Sequence, residues 1–108
     1  MSAKNIKLIT EGVLCLRRAR KELLAAAVAA KMDYTIENMQ RANGALCVTR
    51  EAVLRLENDL GKITPKQLGE SDAAYAVAVA KHLCMDAKET IEKYKRWQEN
   101  PTPAGSGR

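Results

Sequence analysis

Met39, Leu46, Val53 and Leu60 stand seven residues apart, and Ile36, Asn43, Arg50 and Glu57 keep the same spacing three residues ahead of them. On a helix of about 3.6 residues per turn these two lines run side by side as one stripe. The phase is unbroken from Ile36 to Leu60, so the pattern demands a helix from about Tyr34 to Leu60. The turn dipeptide Asn43-Gly44 would reset that phase if it broke the chain; Gly44 is therefore read as an interior glycine, costing about 1 kcal/mol relative to alanine. Asn43, Arg50 and Glu57 then fall on a face that should be core, where an unpaired charge costs on the order of several kcal/mol.

Two further amphipathic segments flank this one. The first runs from Ala3–Asn5, capped by Ser2 or Asn5, to about Lys31, with Ile6, Ile9, Val13, Leu16, Leu23, Ala27 and Ala30 inward and Arg20 as the one interruption. Asp33 is placed to cap the second helix after a connection too short for a crossover, so the two should lie antiparallel. Gly61 ends the second helix, and Thr64-Pro65-Lys66-Gln67 has the form of a capping box with a first-turn proline, which predicts a short helical turn broken at Gly69. Ser71-Asp72 caps the last long helix, whose inward stripe is Ala73, Ala76, Ala80, Leu83, Ala87, Ile91, Tyr94 and Trp97. Asn100-Pro101 stops it, and residues 101–108 lack any apolar period and are expected to form a disordered tail.

The fold expected is all-α: a single domain over residues 1–100, an antiparallel bundle of three long helices with a short extra turn before the last. No Phe and one Trp in 108 residues, with many Ala and Leu, argue against a β core. So thin a bundle buries little, which makes a homodimer the natural expectation. The longest uninterrupted apolar run, Leu23 to Ala30, is bounded by Glu22 and Lys31 and falls far below the roughly 20 residues needed to span a bilayer. Its flanks also argue against a signal peptide. Cys15, Cys47 and Cys84 are odd in number, lack metal-ligand spacing and fall within helices, so they read as free thiols of a reducing, cytoplasmic compartment, packing as small apolar side chains.

Charge is unevenly spread. Residues 1–32 carry seven basic and two acidic groups, residues 33–60 three and five, and the remainder eight and six, so the first helix accounts for a net charge equal to the whole chain's +5. Lys4, Lys7, Arg17, Arg18 and Lys21 form a basic face on its outward arc, which is either solvated or a site for nucleic acid. Aromatic interleaving is absent, and a helix-turn-helix over Thr64–Leu83 would put Ala and Val where base-reading residues belong.

No catalytic set emerges. His82, the only histidine, lies one turn from Asp86 as a surface pair and has no nucleophile beside it, and no glycine-rich phosphate loop is present. No metal or cofactor is expected. Arg20, Asn43, Arg50 and Glu57 are expected to converge in a polar seam, with Glu57 neutralising an arginine. The seam is read first as a register-fixing device, then as a homodimer interface, and third as a pocket in which Arg20, Arg50 and Glu57 bind a small anion or act as an enzyme site. The functional expectation is a small cytoplasmic helical protein, not an enzyme, that binds a protein partner as adaptor, inhibitor or regulatory subunit, of the kind phages and other mobile elements encode. Nucleic-acid association through the basic face is the alternative, and no membrane is involved.

Overall fold

A computed structural model describes residues 2–64, 66, 69 and 71–101. Three helices, α1 (Ser2–Met32), α2 (Ile36–Leu60) and α3 (Ser71–Glu99), pack against one another in an all-helical bundle. The chain runs up, down and up, so α2 is antiparallel to both neighbours while α1 and α3 are parallel. Of the expected short turn after Gly61, only Thr64, Lys66 and Gly69 are described: Lys66 is helical and its carbonyl accepts from the Gly69 N–H at 3.1 Å. The expected tail, beyond Pro101, and the proposed cap at Ser71 lie outside the described residues or side chains.

Alanine dominates the core because the three axes approach closely. Ala19, Ala26, Ala27 and Ala30 of α1, Ala42 and Ala45 of α2 and Ala73, Ala80 and Ala87 of α3 are all buried, and larger side chains are buried among them: Ile9, Leu16, Leu23, Val53, Leu56, Ile91 and Tyr94. Small residues let helix backbones sit near the lower end of the usual 8–10 Å separation. Gly12 marks a close passage between α1 and α2, since a Cβ there would stand 2.9 Å from Leu56 Cδ1.

α2 passes through Gly44 without interruption, as its periodicity requires. Its core face, however, is not the one expected. The line 39, 46, 53, 60 does face inward, but its companion is Ala42, Thr49 and Leu56, each fully buried, rather than Asn43, Arg50 and Glu57. Thr49 is, among the described residues, the one fully buried hydroxyl-bearing or charged side chain of the core apart from Tyr94, and its hydroxyl lies 2.8 Å from the Ala45 carbonyl and 3.1 Å from the Ala19 carbonyl of α1.

The α1–α2 connection is also one step later than expected. Thr35, not Asp33, is the cap: its backbone is extended and its hydroxyl accepts from the Asn38 N–H at 3.1 Å. Asp33 is used through its carbonyl, which accepts from the Thr35 N–H and the Asn38 side-chain amide, both at 2.8 Å. Carrying the cap to Thr35 leaves Tyr34 free to reach across to Trp97, its ring edge-on at a centroid distance of 5.8 Å. Tyr94 stacks on the same indole at 5.7 Å, and the Lys31 ammonium lies 5.8 Å from it, so one end of the bundle is closed by an aromatic cluster. At the other end of α2 the Gly61 N–H returns to the Glu57 carbonyl, and the half-buried Ile63 packs on the core.

Candidate functional site

The expected polar seam does not converge. Arg20, on α1, is half-buried and its Nε donates to Thr90 Oγ1 of α3 at 3.0 Å. Asn43 is exposed and accepts through Oδ1 from the Gln98 amide of α3. Glu57 forms an ion pair with Lys88 of α3. Arg50 is exposed and, among the described residues, makes no hydrogen bond or ion pair. The physical reason is the helical phase. Seven residues fall about 20° short of two turns on an ideal helix, so a strict heptad line drifts around it. Ile36, at the head of the line, is 77% exposed, Asn43 and Arg50 are also exposed, and Glu57 alone of the four is half-buried.

The pocket expected from Arg20, Arg50 and Glu57 is excluded by the same geometry. Arg20 lines a groove between α1 and α3, whereas Arg50 and Glu57 line a different one between α2 and α3 with Lys88, Glu92 and Lys95. That second groove carries both signs, three basic groups against two carboxylates. The Glu57 carboxylate raises the Lys88 ammonium above the ordinary lysine value, first through their hydrogen bond and then through its charge. Below this pair Cys84 is buried, and burial, helped by Glu57 and opposed by Lys88, pushes its thiol up, which keeps it protonated and unreactive. Cys15 and Cys47 are exposed rather than packed as small apolar side chains, because both lie on outward arcs of their helices. Among the described residues no cluster of His, Cys, Asp and Glu is arranged to hold a metal ion.

The five residues of the basic face, Lys4, Lys7, Arg17, Arg18 and Lys21, are all exposed. Two of them, Arg17 and Lys21, stand on one wall of the α1–α3 groove, which Leu14, Leu24 and Tyr75 also line without having been singled out from sequence. That wall reads Leu14, Arg17, Lys21, Leu24 along α1; the facing wall reads Tyr75, Val79, His82, Asp86 along α3. The groove encloses about 620 Å³ at its wider part. Its floor is the half-buried Val13, Ala76, Val79 and Leu83. Three large apolar side chains stand at its lips, Tyr75 at 74%, Leu14 at 51% and Leu24 at 42% exposure.

The groove closes on a polar stop. Arg20 donates to Thr90, Thr90 donates onward to the Asp86 carbonyl at 3.0 Å, and the Asp86 carboxylate meets His82 Nε2 at 3.4 Å in the surface pair expected from sequence. These contacts link the side chains of Arg20, Thr90, Asp86 and His82, and among the described residues no nucleophile stands beside the histidine. The arrangement presents charge and apolar surface together and is suited to holding another molecule. Leu14 and Leu24 could have been found from sequence as apolar residues on the same outward arc as Arg17 and Lys21; Tyr75 carried no such signal. No family model, curated protein or solved structure matches the chain.

Proposed function

We propose that this chain is a cytoplasmic protein-binding module, acting as adaptor, inhibitor or regulatory subunit, and that the α1–α3 face is its working surface. The observation that carries the reading is Tyr75, a tyrosine three-quarters exposed at the mouth of an apolar groove, with Leu14 and Arg17 beside it. Tyrosine and arginine over a desolvatable apolar floor are the residues that dominate protein interfaces. Three free cysteines fit a reducing compartment, and among the described residues no helix is long and apolar enough to cross a membrane.

Site-specific photo-crosslinking in the native host tests the reading. A benzophenone side chain at position 75 is expected to yield a defined protein adduct that the same group at Arg55, on the far side of the bundle, does not. Equal labelling from both positions, or none from position 75, sinks it.

Homodimerisation would use the outer face of α2, where Ile36, Val48 and Leu54 are exposed among Glu37, Glu51 and Arg55, a mixed-charge surface that does not repel its own copy. Sedimentation equilibrium of the full chain and of Leu54→Glu decides this: an unchanged dimer in the variant, or a monomer in the parent, refutes it. The exposed basic face supports nucleic-acid association as the second reading; it is excluded if random-sequence RNA and DNA give no mobility shift at low salt.

A further inference from the structure

Resting on the reading of the α1–α3 face as a protein-binding surface, we infer that its occupant is an acidic amphipathic helix that lays about three turns between Leu14 and Leu24 of α1 and Tyr75 and Asp86 of α3. Shape, charge and length point to the same occupant.

The two walls belong to parallel helices, so their side chains climb in step. Leu14 and Tyr75 form an apolar lip at one end, Val79 continues the apolar floor, and Leu24 closes the stretch beyond Lys21. Apolar positions repeated at this interval match the i, i+3/i+4, i+7 anchors by which a helix lies in a groove. From Leu14 to Leu24 the groove follows α1 for ten residues and from Tyr75 to Asp86 it follows α3 for eleven, about 16 Å by helical rise, which is the length of a helix of about three turns.

Charge selects the sign of the partner's flanks. Arg17, Arg20 and Lys21 line the groove against a single carboxylate, Asp86, which is already engaged with His82, while Arg18, Lys7 and Lys4 continue the cationic surface along α1. Glu11 and Glu22 are the acidic groups on that helix, and Glu22 is held by Arg41 of α2, with both Nε and Nη2 at 3.0 Å from one of its oxygens. A second copy of this chain would bring its own Arg17 and Lys21 against these, so like charges oppose self-docking here. A flat anionic surface would reach the cations without filling the groove, and the apolar floor offers a nucleobase no hydrogen-bonding partner. A helix with leucines on one face and carboxylates on its flanks satisfies both features at once.

Display selection on the immobilised full chain tests the inference. The library is of helices about 16 residues long with leucines fixed on one face and the flanking positions drawn from Asp, Glu, Ser, Lys and Arg; L14E/Y75E serves for counter-selection. Enriched helices are expected to carry more Asp and Glu than Lys and Arg, and to bind R17E/K21E about tenfold more weakly than the parent in anisotropy titrations. Helices without acidic excess that still lose binding to L14E/Y75E would overturn the partner's chemistry and leave the protein-binding surface standing. Helices that bind L14E/Y75E unchanged, or no enrichment at all, would overturn the surface reading itself. Random-sequence single-stranded RNA or phosphatidylserine vesicles bound more tightly than the best helix, and released by the same variants, would replace the proposed partner. All four substituted positions are exposed, and circular dichroism of each variant verifies that the bundle is intact.

Discussion

Two glycines in helical interiors have opposite surroundings, and replacing each by alanine separates backbone propensity from packing. Gly44 lies in the middle of α2 with no atom of another group within 4 Å of an added Cβ. Gly44→Ala therefore collects the whole helix-propensity difference, a stabilisation of about 0.8–1 kcal/mol. For a domain of this size that raises Tm by about 4 °C. Gly12→Ala gains the same propensity but sets its methyl 2.9 Å from Leu56 Cδ1. Leu56 is fully buried, so its methyl has no open side to move into. Overpacking of this kind costs about 1–3 kcal/mol, so the net change runs from about zero to a 2 kcal/mol loss. Urea denaturation followed by far-ultraviolet circular dichroism, with equal m-values required, measures both. A cycle with Leu56→Ala isolates the contact: Leu56→Ala alone is strongly destabilising, and Gly12→Ala made on that background is expected to stabilise. Gly12→Ala stabilising as much as Gly44→Ala on the parent background would show that α1 and α2 are not so close. A destabilising Gly44→Ala would refute the continuous α2.

Three further outcomes follow from the core. Thr49→Val keeps the volume and removes a hydroxyl whose two carbonyl neighbours retain their own helical partners, so the expected loss is about 0.5–1 kcal/mol by chemical denaturation; a loss of several kcal/mol would mean the hydroxyl holds α1 and α2 together. Arg50→Ala is expected to shift stability by no more than about 0.5 kcal/mol, whereas Tyr94→Ala, at a residue 2% exposed, should cost about 3–5 kcal/mol; a large effect at Arg50 would reinstate it as a seam residue. Stability should fall on the alkaline side. Burial raises Cys84 above its ordinary 9.0 and Tyr94 above its ordinary 10.0, so each keeps its full contribution below those values and loses it as pH rises through the higher folded-state value. Thermal melts between pH 8 and about 10.5 check this, with a shallower initial decline expected for Cys84→Ala; a Tm that rises with pH would contradict the burial of both groups.

The helices and most of their inward residues were legible because side-chain period alone sets them. Ile9, Leu16, Leu23, Ala80, Ala87, Ile91 and Tyr94 are all buried, and Gly44 sits inside an unbroken helix. The companion line on α2 was not legible. Residues 39, 46, 53 and 60 have a heptad neighbour on either side, and the correct one, Ala42, Thr49 and Leu56, holds a small residue and a hydroxyl where a core line is expected to be large and apolar. Ile36 at the head of the other line made it look like core, yet Ile36 is 77% exposed. The basic half of the candidate site followed from charge counting, but its apolar half did not. Leu14 and Tyr75 lie far apart in sequence on helices joined only through α2, and no single-helix pattern reports that they share a groove.

Alanine faces alone slide past one another at little cost in contact, so the large side chains that interleave between them carry most of the register. Polar pairs add to it, Thr49 from within the core and the others from its borders. Asn43 with Gln98 and Glu57 with Lys88 tie α2 to α3 at two heights, Thr49 reaches the Ala19 carbonyl to tie α2 to α1, and Arg20 with Thr90 ties α1 to α3 directly. Shifting one helix by one turn, about 5.4 Å, would break every one of these pairs that it makes. Register fixing was the first role expected of Arg20, Asn43, Arg50 and Glu57; three of them make separate contacts to a neighbouring helix rather than one converging network, and Arg50 makes none among the described residues. The Arg20–Thr90 contact has a second consequence: it fixes the step between the two parallel helices, and with it the position of Leu14 and Arg17 opposite Tyr75. The same hydrogen bond that orders the bundle therefore aligns the walls of the groove.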